Sequence, residues 1–562
     1  MLNTDNYFKL YVDKLRQYTS HPLSVFVLGS LMGIVFFLTF FGSEILDFTY
    51  VDWLLYGGDL SQHYFGWAFF RDSVWSYPIG KIENLAHPFG VAITYMDSIP
   101  LFAIPFKLFG VFLPAQFQYF GLFGLVSYAL QGGISALIIR KFNKNILIIL
   151  LLSIFFIFSP IMLSRMYSHT ALAAHWLILF SFLPIIYLRW FKVNLIRPIT
   201  LFTLAMVLGV LIHPYFIPML ALCLLVYTII TYKNIYTAII KMAVPLASGL
   251  IVFAIIGGFS VKSVLSVNDL NIYQYNLNAP FNPFGFYSQF LRDQPQTGFG
   301  ESFNYFGLGM LLLLPVVLFI FIYSHQHQKT LKKLIMNNKI KSLIIILLLT
   351  VYMIFTSGPK IYFGSVLLFE VNLPLMIENI WSTYRANARF YWVIYYASFV
   401  GIIGYILVTF KQKRVLFLLI FFTPFILLQI SDLRFSSGVR GKKYNFYQQS
   451  HYKVDKTEIN KWREHVAGKR HVVILDPSVP DFHFLASMSK NYNLTMSNGY
   501  FARSPIEKIN SYRLNQIELL KSGRANMKDN IYISLDESIK EKINCKRCIS
   551  EKVTNYYILK TE

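Results

Sequence analysis

Acidic, basic and imidazole side chains are scarce along most of this chain, so the few that cluster stand out. Arg385 and Arg389, in the segment IWSTYRANARFYW (380–392), are four residues apart and on a helix would share one face. Two guanidinium groups so placed suit a phosphate or diphosphate, which they grip through paired, charge-assisted hydrogen bonds. Snorkelling, or pairing with Glu370 or Glu378, is the structural alternative. Asp59 and His63, in YGGDLSQHYFGWAFFRDSVW (56–75), are likewise i and i+4. Gly57 and Gly58 break the chain ahead of them, so Asp59 either caps the helix that follows or offers its carboxylate to chemistry. Phe65, Phe69, Phe70 and Val74 give that helix an apolar stripe expected to lie flat on a membrane surface. Asp97 lies near the end of the same polar stretch. The stretch 271–307, rich in Asn, Gln, Tyr, Phe and Gly, suits hydrogen bonding and ring stacking, with Glu301 and Asn304 its most suggestive groups. His169 and His175 (MYSHTALAAHW, 166–176) and His213 (HPY) sit at junctions between apolar runs, where ionisable groups commonly face a cavity. Three histidines on one side can bind a metal, but no ligand spacing marks such a site, and hydrogen bonding within the bundle or to a substrate is expected instead.

The elements that must position these groups follow from hydrophobicity. Of 562 residues, 55% are apolar and 14% charged, against about 45–50% and about 25% in soluble domains. A single water-soluble globule is excluded. Apolar runs near 23–42, 117–139, 145–163, 171–188, 199–212, 215–232, 238–259, 306–323, 342–356, 391–410 and 415–430 predict eleven membrane spans. Several fall short of the roughly 20 residues that cross a bilayer, so tilt, local thinning or broken helices are expected. With the N-terminus inside, the cytoplasmic pieces hold 19 bases and two acids, whereas outward positions of the membrane part hold 9 bases and 12 acids. The first span, too long and wrongly flanked for a secretory signal h-region, is expected to act as an uncleaved signal anchor. The charge asymmetry also gives the formal charge of +23 a topological cause, so no nucleic-acid partner is expected. It further requires 199–232, interrupted by His213 and Pro214, to cross twice, and 99–113 to enter and leave from outside. The polar stretches, including the long first outer loop 43–100, then lie outside the cytoplasm.

Residues 1–431 are therefore expected to form an all-α polytopic membrane bundle, and 432–562, where charged residues exceed a quarter, an extracytoplasmic α/β domain. Val472–Leu475, Ile531–Leu535 and Tyr556–Leu559 read as strands. Ile506–Leu520 reads as a helix with Ser504 as cap, Pro505 in the first turn and Glu507 completing a capping box. The tail carries no phosphate loop, nucleophile elbow or paired acids, and a docking or acceptor-guiding role is expected. Cys545 and Cys548 supply too few ligands for structural zinc and read as a local disulfide or two free thiols; Cys223 reads as an inert core thiol.

Four segments in this order, GGDLSQH in the first outer loop, HPFGVAITYMDSIPLFAIPFKLF (87–109), GESFNYFGLG (300–309) and YRANARFYW (384–392), resemble the GT-C superfamily of polytopic membrane glycosyltransferases, over about residues 20–431. The resemblance implies a donor sugar on a polyprenyl phosphate or diphosphate, transferred outside the cytoplasm to a glycan, lipid or protein acceptor of the cell envelope. It implies a general base at an early acid of the first outer loop, by position Asp59. Many members carry two adjacent acids where this chain continues with Leu60, so Asp52 and Asp97 stay open as alternatives. Arg385 and Arg389 would stabilise the leaving lipid phosphate, with His63, Asp97, His169, His175, Glu301 and Asn304 as secondary substrate contacts. No cofactor motif appears, and a divalent metal is left open. The second reading is a transporter or flippase for lipid-linked glycans that breaks no bond. Such proteins commonly show paired repeats with broken helices, which this sequence does not display. A third, weaker reading is a structural assembly factor for envelope polymers.

Overall fold

The computed structural model describes residues 21–561 apart from 57, 189–195, 262–272, 285–286, 296–299, 373, 375–380, 382, 435–455 and 480. Helices dominate up to residue 434, and a sheet with flanking helices follows from 456. Six helices are long and apolar enough to cross a membrane: Pro22–Phe41, Phe120–Arg140, Ile235–Ile255, Lys339–Ser357, Asn387–Thr409 and Val415–Leu433. The chain is a multi-pass membrane protein on this measure. Two bent pairs, Ile146–Ile157 with Pro160–Ser168 and Leu308–Tyr323 with His325–Asn337, raise the number to eight if each is one span. Every one of the eleven expected spans falls on a helix. Thr170–Ile186, Ile196–Ile212 and Phe216–Ile230, however, run to 17 residues at most, about 25 Å against a hydrocarbon core of about 30 Å. The count of eleven is reached only if these short helices also cross.

Sequence explains most of the breaks. Pro160 opens its helix at the first turn and bends the pair by 48°. Asn145 caps the other half, its Oδ1 accepting from the Leu147 amide at 3.0 Å. His213 and Pro214 part Ile196–Ile212 from Phe216–Ile230. The first helix packs closely on Phe120–Arg140, where Gly29 and Gly132 face each other and a Cβ on either would collide with the other's carbonyl.

One expectation for the first outer loop changes. The helix Gly58–Asp72 does not lie on a lipid surface: every residue from Leu60 to Phe70 is buried. The C-terminal domain covers it, with Phe65 edge-on to Phe482, and only Val74, past its end, stays exposed. In the segment 99–113, expected to return to the side it entered from, Pro100–Leu108 has nine residues, too few to cross; Leu108, Phe109, Val111 and Phe112 around its end are exposed.

The C-terminal domain is a five-stranded sheet in the order Thr495–Met496, His471–Ile474, Asn530–Ser534, Tyr556–Thr561, Cys548–Val553, the first three parallel and the rest antiparallel. The expected helix spans Ile506–Lys521, but Pro505 takes the cap position and no side chain caps it. Strands Thr495–Met496 and Cys548–Val553 went unforeseen, each short or strongly charged. Cys545 and Cys548 form a disulfide, and Cys223 is buried and free. An exposed hairpin, Lys360–Phe363 with Val366–Glu370, was also unforeseen.

This domain is not a loosely tethered module. Met496 N–H donates to the Asn84 carbonyl and His87 N–H to the Met496 carbonyl, both at 2.9 Å, so Leu85 bridges the sheet edge. The His87 and His471 rings stack at 4.2 Å, and Lys490 pairs with Asp72.

Candidate functional site

Between the bundle, the first outer loop and the C-terminal domain lies a cavity of about 520 Å³. Asp59, Asp97, His169, Glu301, Arg385 and Arg389 all line it, drawn from four distant parts of the sequence, together with His213. Ile217, Leu250, Phe253 and Phe259 form an apolar wall. Leu250 and Phe259 are exposed, so that wall continues onto the outer face of Ile235–Ile255. The C-terminal domain supplies the roof, Tyr500 to Arg503.

Asp59 lies at the rim, in the first turn of its helix. Tyr500 O–H donates to its Oδ1 at 3.1 Å, and Gln62 Nε2, one turn on, donates to the Tyr500 carbonyl at 3.1 Å. Burial, then the Asp59 charge, pushes the Tyr500 hydroxyl well above the usual phenol range.

Asp97 forms the floor. It has a φ of +54° and Ile99 one of +50°, a left-handed region that costs a β-branched residue about 1–3 kcal/mol. Between them Ser98 is pinned: its Oγ donates to the His63 carbonyl at 2.7 Å, and Tyr119 O–H donates to its carbonyl. Gly66 makes the approach feasible, since a Cβ there would overlap Met96 and Ser98. The Asp97 oxygens face His169 Nε2 at 3.3 Å and His213 Nε2 at 3.2 Å. Burial alone would raise the Asp97 pKa, but His213 and His169 outweigh it and hold it well below the carboxylate range.

Glu301 is held differently. Arg165 NH1 and NH2 reach its two oxygens at 3.1 and 2.9 Å, and Arg389 Nε and NH2 reach them at 2.7 and 2.8 Å. Burial pushes the Glu301 carboxyl up, and the two guanidinium groups hold it well below its usual range. Asn304 does not line the cavity. Its amide donates to the Ser302 carbonyl at 3.2 Å and the Ala388 carbonyl at 3.4 Å, tying the turn that carries Glu301 to the turn that carries Arg389.

The arginine pair departs from expectation. Residues 387–391 form a 3-10 turn and Arg385 precedes it, so the two do not project from one helical face. Arg389 is buried and committed to Glu301, with its guanidinium 4.7 Å from the Tyr215 ring centre. Arg385 is exposed, 4.9 Å from the Tyr273 ring centre. Arg503 joins it from the roof, donating to the Thr383 carbonyl. Among the described residues neither Arg385 nor Arg503 pairs with a carboxylate, and these two are the cations open to a ligand. Of the Glu370 and Glu378 alternatives, Glu370 pairs with Lys360, and Glu378 lies outside the described residues.

The other candidates separate. His63 is fully buried directly behind the floor, its ring 4.7 Å from that of His169. His175 sits elsewhere in the bundle, its Nδ1 2.8 Å from the Tyr396 hydroxyl and its ring 4.3 Å from Trp392. Asp52 does not line the cavity. Sequence reasoning missed Arg165, Tyr500 and Arg503. A lone arginine at the end of an apolar run was the available signal for Arg165; nothing local marked the other two.

No curated protein matches this chain. The family described as Domain of unknown function (DUF6311) matches residues 30–434, and DUF6311 C-terminal domain matches 461–561, so the two matched segments between them supply every wall of the cavity. The chain belongs to the DUF6311 family.

Proposed function

We propose that this protein is a membrane glycosyltransferase, moving a sugar from a polyprenyl-phosphate-linked donor to an acceptor outside the cytoplasm. One observation carries the reading: a carboxylate at the rim, two arginines that pair with no carboxylate among the described residues, and an apolar wall meet in a single cavity. That combination suits an amphiphile with an anionic head and a long hydrocarbon tail. The excess of bases in the loops assigned to the inside supports an outward-facing cavity.

In this reading the acceptor hydroxyl gives its proton to Asp59 as its oxygen attacks the anomeric carbon. The bond from that carbon to the phosphate oxygen breaks, the electron pair leaves with the lipid phosphate, and Arg385 and Arg503 stabilise the new charge. One such displacement inverts the anomeric centre. Arg389 acts indirectly, through Glu301, as a fixed part of the wall.

The test uses purified protein in lipid, supplied with polyprenyl-phosphate sugars and acceptor glycans, with release of free polyprenyl phosphate as the readout. Asp59→Asn is expected to lower turnover by about 10²- to 10⁴-fold, and Arg385→Ala or Arg503→Ala by about 10²- to 10³-fold. Full turnover in folded Asp59→Asn and Arg385→Ala variants would sink the assignment. Passage of the lipid-linked sugar across a vesicle without release of lipid phosphate would mean a flippase instead.

A further inference from the structure

The floor of the cavity contains groups that proton transfer and phosphate binding leave unused. His63, Asp97 and His169 each present one ligand atom, all within 4.8 Å of one another, and all three side chains are buried. Neither ring nitrogen of His63 has a hydrogen-bond partner among the described residues, and nor does Nδ1 of His169. A buried imidazole without a partner costs about 1–3 kcal/mol. The unpartnered His63 imidazole, close to a carboxylate and a second imidazole, recovers part of that cost when a cation takes one of its lone pairs.

The spacing fits a small ion. His169 Nε2 and Asp97 Oδ2 are 3.3 Å apart, about the separation of two ligands bound at roughly 2.0–2.1 Å around a tetrahedral centre. The supporting contacts are those a metal ligand needs. His213 Nδ1 accepts from the Tyr215 amide at 3.2 Å, which leaves the proton on Nε2 to hold Asp97 Oδ1 and keeps Oδ2 turned to the other histidines. The Ser98 hydroxyl ties the His63 backbone to the Asp97 turn at 2.7 Å. Asp97 and His169 face the cavity while His63 is sealed behind them, so a fourth position opens towards a ligand.

We infer that His63, Asp97 and His169 bind one divalent first-row transition ion of the zinc class, with His213 orienting Asp97 from outside the coordination sphere. Two imidazoles and one carboxylate favour such an ion over magnesium, which takes mainly oxygen ligands. Three protein ligands with an open fourth place are the arrangement of a reactive zinc centre; structural zinc is closed by four. The inference does not depend on the transferase reading, since its test measures metal alone.

The experiment takes the purified full-length chain in nanodiscs, strips it with chelator and reloads it with Zn²⁺ or, separately, Co²⁺. About one zinc per chain is expected by elemental analysis, with a rise in unfolding temperature on reloading. Co²⁺ should give the visible absorption of a tetrahedral site. His63→Ala and His169→Ala should lose the bound zinc and the thermal rise, while their metal-free melting stays near that of the stripped parent. His213→Ala should weaken zinc binding about 10- to 100-fold without removing it. Failure of the parent chain to retain zinc or to show the cobalt spectrum overturns the site, as does undiminished zinc in His63→Ala. A thermal rise with Mg²⁺ equal to that with Zn²⁺ overturns the metal class.

Discussion

Two carboxylates face the same cavity from different elements and are held in contrasting ways. Glu301 lies between Arg165 and Arg389, guanidinium groups that stay charged at every pH a cell meets, and all four of its contacts fall between 2.7 and 3.1 Å. Asp97 lies between His169 and His213, rings whose charge is conditional, at 3.3 and 3.2 Å. The first is a strut, whose satisfied hydrogen bonds lock two turns into one wall. The second keeps capacity in reserve, with both His63 nitrogens and His169 Nδ1 unpartnered among the described residues.

Removing each acid should expose the contrast. Glu301→Gln strands two buried arginines, and unfolding in lipid or detergent should show a loss of about 3–5 kcal/mol. Asp97→Asn keeps an acceptor for His213 and should cost only about 1–3 kcal/mol, while abolishing zinc retention. Equal stability losses would erase the distinction. Asn304→Ala sharpens it further: loss of the tie between the Glu301 and Arg389 turns should cost about 0.5–1.5 kcal/mol. Thermal melts of the double variant with His63→Ala should show the two losses simply adding, because Asn304 bonds the Ser302 and Ala388 carbonyls whereas the His63 ring packs on His169.

Acid provides the mildest discrimination. Glu301 has a lowered folded pKa, so its stabilising share is complete above the free glutamate value near 4.5 and is lost only as pH falls towards the folded value. His87 behaves otherwise. Burial, then the neighbouring His471, lowers it to about 4, with Glu83 opposing. The unfolded chain therefore binds more protons between about 6.5 and 4, and the contact with the C-terminal domain weakens through that window while Glu301 remains paired. Hydrogen exchange should report faster exchange of the His87 and Met496 amides at pH 5 than at pH 7.5, after correction for intrinsic rates, with the Glu301 turn unchanged. Simultaneous loosening of both regions would contradict this order.

The sequence makes much of the site readable because polar groups are rare in apolar surroundings. Asp59, Asp97, His169, Glu301, Arg385 and Arg389 could be picked out one by one, and all reach the cavity. Their partners could not. That Arg389 answers Glu301, leaving Arg385 to line the cavity beside Arg503, depends on turns 88 residues apart meeting in space. Helical periodicity suggested a shared face for the two arginines, but the 3-10 turn at 387–391 begins after Arg385. The apolar stripe of Gly58–Asp72 suggests a helix on a membrane surface, but its cover is protein, and a stripe cannot say what covers it. His175 and Asn304 show the converse limit. Their types suggest chemistry, but each is tied to its surroundings, His175 through Nδ1 to the Tyr396 hydroxyl and Asn304 through its amide to the Ser302 and Ala388 carbonyls.

The roof at residues 500–503 also bears on how the molecule comes into being. Helices can enter the bilayer one after another as the ribosome works, yet Asp59 meets Tyr500 across 441 positions of chain. A nascent polypeptide already threaded through the membrane still lacks the cover of this cavity. The enclosure is complete only once a later-made domain closes over groups made several hundred residues before it.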